Sequence, residues 1–589
     1  MEDMEGLRWD LASFNVDGGV RYTHNHVGFL PRGSKCVVCR EPAAMDFEVK
    51  MVTDSSGKCR NDRPVKFRGK LQATGHELGK YRVADFSGLT EEGIYIMACG
   101  GVDTSFFRID SRIYEYPLRV LYNYFPSQRC GDSVSGHNAP CHLDDAVRHD
   151  TGEKLDLAGG WHQSCDLRKW ISGTPFGLMG LAQLASTSKP RWDTGLIDNE
   201  LRWGNRYFFN MIRPDGGLMD HVVLPVSWHE QRIAYANDAP LSAFYLLIAA
   251  EAMCAEYYRK HDALYADQCL TAARRLWDYA HGPKMTKLAY RPPVIPLNHE
   301  WMPEWLAGVY PGSAIALGQE LFAAVHLNRA DAAGGYLEHA RKTASLLVDL
   351  QVGGDVEQDL SAACFYEAPG RKEFSRHTGY FDFFVGLGLV EMLAADKRAE
   401  NAGRWREAIR RIAERSRITS MQNAFGVLPT YWYASPQNGV HVRGSGRACY
   451  RYFFQESGML PLNDGMNTLG INQNILGHAL FLLKAGRLMD DRRYHALAGR
   501  QADWVLGCNP FNRSSVEGVG YNQLSRLVGG DFFPGIPQIP GAVSTGITGS
   551  AEKDEPQQFF GIGCEYDMPP TSLLMWLLAE IQEQDRIWK

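Results

Sequence analysis

Two different periods divide the chain. From residue 18 to about 112, short apolar runs such as Lys35-Cys36-Val37-Val38-Cys39, Phe47 to Val52 and Gly93 to Ala98 alternate with Gly, Pro and Asp. β-branched and aromatic residues at this spacing, with turn residues between them, predict strands and a small β-sandwich of roughly 90 residues. Cys36 and Cys39 fall inside one such run with valines between them, so they are read as strand positions and not as half of a metal site. Beyond about residue 166 the apolar positions recur at helical spacing. Leu241 to Ala252 is apolar nearly throughout and predicts a buried helix; 312–327, 337–350, 380–393, 474–488, 494–506 and 571–581 are further helices. Short polar connections such as Leu488-Met489-Asp490-Asp491-Arg492-Arg493 join helices in pairs, so a closed or stacked array of helical hairpins is expected. Three stretches without periodicity, 285–310, 425–470 and 510–568, are long and rich in Gly, Pro and aromatics. Long loops on a rigid scaffold are where binding and catalytic groups collect.

The segment Gly159-Gly160-Trp161-His162-Gln163-Ser164-Cys165-Asp166 puts an aromatic, an imidazole and a carboxylate at one expected strand-to-helix junction, with a helix predicted from Leu167. Asp166 there suits a general base; an N-cap is the competing use of an Asp at such a point. Upstream, Cys130, Cys141 and His142 join His162 to offer two thiolates and two imidazoles, the donor set of a closed tetrahedral zinc. His137 and His149 are alternative ligands. Four protein ligands leave no position for a reacting water, so such a zinc would be structural.

Composition narrows the partners. A chain of 589 residues exceeds one ordinary hydrophobic core, so two domains are expected. A net charge of −6 supplies no basic field for a polyanion, and no nucleic-acid partner is expected. With 14 Trp and 26 Tyr the chain has flat faces to spare for sugar rings, which favours a glycan ligand. No run of about 18 apolar residues predicts a membrane span. The acidic start Met1-Glu2-Asp3-Met4-Glu5 has no apolar leader, and thirteen scattered cysteines suit reduced thiols. A cytoplasmic protein is expected, or a secreted one if a leader has been removed; the oligomeric state is not legible.

Several motifs in order resemble glycoside hydrolase family 9, in its subgroup with an immunoglobulin-like domain before an (α/α)6 barrel. Asn25-His26-Val27-Gly28-Phe29-Leu30-Pro31 looks like the family's opening strand, and Ala84-Asp85-Phe86-Ser87 with Gly93-Ile94-Tyr95 like the close of that domain. Arg129-Cys130-Gly131, Cys141-His142 and the loop at His162 resemble the subgroup's zinc-binding segments. Trp504-Val505-Leu506-Gly507-Cys508-Asn509-Pro510, Arg513 to Gly518 and Tyr566-Asp567-Met568-Pro569 are similar to its C-terminal motifs. The resemblance covers nearly the whole length and implies a mainly α fold, with an immunoglobulin-like β-sandwich at 18–112 and an (α/α)6 barrel at 113–589.

It also implies an inverting glycosidase with an oligosaccharide substrate. Asp166 matches the family's main base; the partner Asp of that loop is Gln163 here, a neutral group that can orient water. The family's general acid falls at Gly561, so the acid must come from elsewhere: Glu565 first, in an aromatic and apolar neighbourhood, with Asp567 second. Trp161, Trp301, His377, Tyr380, Arg443, Arg447 and Tyr566 are expected to contact substrate, and Arg443 with Arg447 would suit an anionic sugar through bidentate pairing. Two other functions stay open on the same residues. One is β-elimination at a uronate, with a Tyr or His removing the C5 proton; the other is a binding protein that has lost turnover.

Overall fold

The structure is a computed structural model. It describes residues 21–40, 45–75, 78–133, 139–165, 167–187, 194–223, 232–285, 309–374, 382–429, 472–524, 539–547 and 565–587, and the strand backbones 431–437, 440–449, 453–454 and 549–550. The N-terminal part is two facing antiparallel sheets. One has the order β1-β2-β6-β5 (Arg21–Thr23, Cys36–Arg40, Tyr81–Asp85, Gln72–Ala73); the other runs β4-β3-β7-β8 (Val65–Lys70, Asp46–Asp54, Gly93–Cys99, Val102–Asp103), with β9 (Phe107–Ile109) on β7. Val37, Cys39, Phe47, Val49, Ala84, Tyr95 and Met97 alternate inward from both sheets and make one shared core. Cys36 and Cys39 are buried strand residues, as their valine neighbours implied.

The remainder is mostly helical. Among the described residues the helices are α1 (Glu115–Tyr122), α2 (Tyr124–Ser127), α3 (Pro175–Thr187), α4 (Thr194–Met211), α5 (Leu241–Tyr258), α6 (Ala263–Ala280), α7 (Ala314–Ala330), α8 (Tyr336–Asp349), α9 (Phe383–Ala395), α10 (Ala402–Ser420), α11 (Asn472–Met489), α12 (Arg492–Val505) and α13 (Met568–Ile587). The six helices α3, α5, α7, α9, α11 and α13 pack each on the next, and α13 packs back on α3. Each of the first five is also paired with its successor, α4, α6, α8, α10 or α12, while α13 is paired with α1. The ring helices are buried nearly all round: Leu241 to Ala255 of α5 shows no exposed residue. Their partners bury one stripe only, such as Ala340, Ala344 and Leu347 of α8.

Two expectations change. No helix starts at Leu167: that residue has φ +58°, a short strand Lys169–Trp170 follows, and α3 starts at Pro175. Asp166 therefore lies too far from α3 to be its N-cap. The stretch 425–470 is not all loop either, because Tyr431–Gln437 and Val440–Cys449 pair as an antiparallel hairpin; the aromatic and β-branched residues at its ends favour extended backbone.

The sandwich is fastened to the helices by the motifs at 25–31 and 504–510. Asn25 Nδ2 donates to Asp503 Oδ1 at 2.8 Å, Thr23 Oγ1 to the Gly507 carbonyl at 2.9 Å, and His26 N to the Leu506 carbonyl at 2.9 Å. Gly507 is required here: its φ is +118°, and a Cβ would lie 2.3 Å from the His26 ring. Burial pushes the Asp503 carboxyl up to about 6, against the pull of Arg500 and Asn25. A folded-state value above the unfolded one makes its contribution complete below about pH 4 and lost as pH rises through about 6. Asp503→Asn should therefore gain on the parent protein across that window by on the order of 2–3 kcal/mol, read as denaturant midpoints at pH 4, 5.5 and 7; parallel curves at all three would refute it.

Candidate active site

Three consecutive features hold the loop from Gly159 to Leu167. Gly160 has φ +71°, and its carbonyl accepts both Cys130 N–H and Trp203 Nε1–H at 2.9 Å. His162 N–H then donates to the Gln128 carbonyl at 2.8 Å. Trp161, between them, is fully buried: its indole N–H donates to Glu200 Oε1 at 2.6 Å, and its ring meets Phe125 edge-on at 5.7 Å. Trp161 is thus a core anchor, not the sugar-stacking face expected of it. Helix α4 makes room for the indole with Gly204, where a Cβ would fall 2.0 Å from the ring.

Beneath the loop lies a buried ion trio that sequence reasoning did not find. Asp145 Oδ2 meets Lys169 Nζ at 2.7 Å, and Arg232 Nε donates to Asp145 Oδ1 at 2.9 Å. Lys169 Nζ also donates to the Leu157 and Gly159 carbonyls at 2.5 and 3.1 Å, and Arg232 to the Leu167 carbonyl. The trio therefore grips both ends of the segment that carries Asp166. Burial raises the Asp145 carboxyl, but Lys169 and Arg232 outweigh it and hold it below the usual carboxylate range. Arg232 lies far along the chain from Asp145, so no spacing could have announced the pair.

Cys130, Cys141, His142 and His162 come together as expected, all buried, with ligand atoms within 4.8 Å of one another. Cys130 Sγ is 3.8 Å from His142 Nδ1, and Cys141 Sγ is 3.6 Å from His162 Nε2. A tetrahedral zinc with ordinary Zn–S and Zn–N bonds separates its S and N donors by about 3.6 Å, so the four side chains fit that ion. Burial holds His162 down to about 4, leaving the neutral imidazole that a metal needs. Burial would raise the Cys130 thiol, yet the neighbouring Cys141, Lys169 and Arg232 bring it well below the ordinary range; Arg232 Nη2 is 2.9 Å from its sulfur. Of the alternative ligands, His149 instead stacks on Tyr235 at 4.8 Å, and His137 lies outside the described residues.

The C-terminal candidates meet this loop directly. Ser164 and Asp567 form an antiparallel bridge, and Ser164 Oγ donates to Glu565 Oε1 at 2.8 Å. The Glu565 side chain is buried. Asp567 Oδ1 accepts the Met568 N–H at 2.8 Å, at the start of α13. Tyr566 is buried edge-on against Tyr124 at 5.9 Å, which removes it as a sugar platform. Tyr124 also donates its hydroxyl to the Gln163 carbonyl at 2.6 Å, and Met568 N–H donates to the same oxygen at 3.1 Å. The Gln163 side chain is 8% exposed, and its Oε1 accepts no hydrogen bond. The contacts of Ser164 with Glu565 and of Tyr124 with Gln163 were also missed by sequence reasoning.

Asp166, Trp301, His377 and Tyr380 lie outside the described residues. Arg443 and Arg447 belong to the strand Val440–Cys449, with Arg447 opposite Tyr433, but their side chains lie outside the described residues too. Among the described residues no helix is long and apolar enough to cross a membrane.

Comparison with known proteins agrees with this arrangement. The profile of glycosyl hydrolase family 9 matches residues 114–528. The chain is similar to "Endoglucanase D" of Acetivibrio thermocellus, 26% identical over 302 residues that cover 45% of this chain and 46% of that protein. The match thus spans about half the length of this curated relative. Among solved structures, a metagenome-derived glycoside hydrolase family 9 endoglucanase is 20% identical with a TM-score of 0.66, covering 96% of this chain and 99% of the other. A Zn-binding triple mutant of the family 9 endoglucanase J30 is 20% identical with the same TM-score, covering 94% of this chain and 99% of the other. With the profile matching well over half of its length, the chain belongs to glycosyl hydrolase family 9.

Proposed function

We propose that this protein is an inverting glycoside hydrolase of β-linked oligosaccharides, with Asp166 as general base and Glu565 as general acid. In this reading the ring of six helices is an (α/α)6 barrel over 113–589, preceded by an immunoglobulin-like sandwich over 18–112. The observation that carries it is the junction of Ser164 with Glu565 and Asp567, which sets a buried carboxyl against the loop of Asp166. Inversion needs a base and an acid on opposite faces of the sugar, about 6.5–9.5 Å apart with room for water. In its protonated form Glu565 would deliver a proton to the leaving oxygen. Asp567 is the weaker candidate because its carboxylate already accepts the Met568 N–H. Gln163, a neutral amide, stands beside this junction in place of a second carboxylate, its buried Oε1 without a hydrogen-bond partner.

The test is digestion of neutral β-linked gluco-oligosaccharides and of uronate-containing ones, followed by mass spectrometry. Each cleavage of a neutral substrate should add one water. Cleavage without that gain, on uronates alone, would mean elimination, and tight binding without products would mean a lectin-like role.

Zinc is the ion proposed for Cys130, Cys141, His142 and His162, as a structural clasp between the chain at 130–142 and the loop at 162. Bound there, it would cross-link the folded state and take no part in the reaction. About one equivalent should accompany the purified protein. Cys130→Ser should lose it and lower the thermal midpoint by several degrees, and an unchanged metal content would reject the assignment.

A further inference from the structure

A second donor cluster stands apart from the one described above. His281 caps the C-terminus of α6, Glu320 lies on α7 and His339 on α8, and their ligand atoms all fall within 4.8 Å of one another. His339 Nε2 is 2.5 Å and His281 Nε2 3.6 Å from the same atom, Glu320 Oε1. We propose that these three residues bind a second divalent ion of the zinc class through His281 Nε2, His339 Nε2 and Glu320 Oε1, with water in the remaining position.

Three observations on the page support the assignment. The first is spacing. Nitrogen and oxygen ligands of a tetrahedral zinc lie about 3.3 Å apart, so an entering ion requires only that His339 draw back from the carboxylate by less than an ångström. The second is orientation. His281 Nδ1 lies 2.9 Å from the Trp277 carbonyl, which can only accept, so this nitrogen carries a hydrogen, and Nε2, turned toward Glu320, is the nitrogen that would exchange its proton for an ion. Glu320 is aimed in the same manner: Tyr245 Oη donates to its Oε2 at 3.0 Å, and Thr343 Oγ1 donates to Oε1 at 3.1 Å. Trp277 backs both imidazoles, with ring centroids 4.1 Å from His281 and 4.9 Å from His339. The third is access. The side chains of His281 and His339 are 28% and 37% exposed while Glu320 is 13% exposed, so an ion can reach the site from solvent and retain a water there.

Two imidazoles and one carboxylate suit Zn²⁺, Co²⁺ or Ni²⁺ better than Ca²⁺, which takes oxygen donors, or Cu⁺, which takes sulfur. With no thiolate and an open position, this site should exchange its ion more readily than the Cys2His2 clasp. Its ligands come from three helices, so an ion would pin the α6 end to the α7–α8 hairpin.

Titration of the full-length protein with Zn²⁺ by calorimetry, with metal counted after equilibrium dialysis, tests the proposal. Wild type should take up one equivalent more than the His281→Ala/His339→Ala double variant, and Cys130→Ser should keep this equivalent. Tyr245→Phe, which removes only the hydroxyl that aims Glu320, should retain the stoichiometry and weaken binding about tenfold. Because it leaves the ligands in place, it keeps the test valid if the double variant fails to fold. Equal zinc uptake and affinity in wild type, the double variant and Tyr245→Phe would overturn the proposal. So would an extra equivalent that forms with Ca²⁺ but not with Zn²⁺.

Discussion

Asp166→Asn should reduce kcat on a β-linked oligosaccharide by about 10²–10⁴-fold, the range a positioned general base supplies, while the thermal midpoint stays within a degree or two of wild type. Asparagine keeps the shape of the side chain and removes the charge that takes the proton from water. The backbone on either side of Asp166 is held by Lys169 and Arg232 through the Leu157, Gly159 and Leu167 carbonyls, and by Tyr124 on Gln163. Activity and stability should therefore separate. Glu565→Gln is the companion experiment. It should also lower kcat, and it should remove the alkaline limb of the pH–rate profile, since that limb reports loss of the acid's proton. Adding azide should restore turnover to Asp166→Asn and not to Glu565→Gln, because an external anion can replace a base but cannot donate a proton. Wild-type rates in Asp166→Asn would remove Asp166 from the reaction.

Trp161→Ala should cost about 3–5 kcal/mol of stability, the range for emptying a buried aromatic site. Three losses combine. The indole volume becomes a cavity between α3 and α4, where Gly177 and Gly204 have no side chain to fill it. The edge contacts with Phe125 and Phe208 vanish. Glu200, fully buried and pushed up by burial, loses the indole donor and is left with Arg129 Nη2 at 2.8 Å. Denaturant unfolding reads the change, and a Trp161→Phe control should recover part of it. A shift below 1 kcal/mol in Trp161→Ala would mean that the site collapses freely, contrary to the packing seen. The same experiment separates two meanings of the aromatic: a sugar platform would alter KM with little effect on stability.

The clustering of Cys130, Cys141, His142 and His162 was legible before any coordinates, because sulfur and imidazole donors at short spacing have few other uses. Five of the six ring helices were legible too, α3 (Pro175–Thr187) being the exception. A helix apolar on every face, such as Leu241–Tyr258, has no solvent side and must be surrounded by protein. Their partners α4, α6 and α10 went unread, since Ala402–Ser420 carries six arginines and two glutamates among its 19 residues, which break up the apolar stripe in the sequence. The order of the family motifs implied two parts of the chain, but the meeting of 25–31 with 504–510 came only from the structure.

What the sequence by itself determined is periodicity and donor chemistry: where strands end and helices begin, which apolar faces need covering, and which side chains can hold a metal or take a proton. Only the tertiary structure decided that the aromatics Trp161 and Tyr566 fill the core, for both are buried in the fold. Only the structure joined Asp145 to Lys169 and Arg232, Ser164 to Glu565, and His281 to Glu320 and His339. The reason is physical: periodicity is a local property of the backbone, whereas burial and pairing depend on distant segments that share no spacing and meet only when the ring of helices closes.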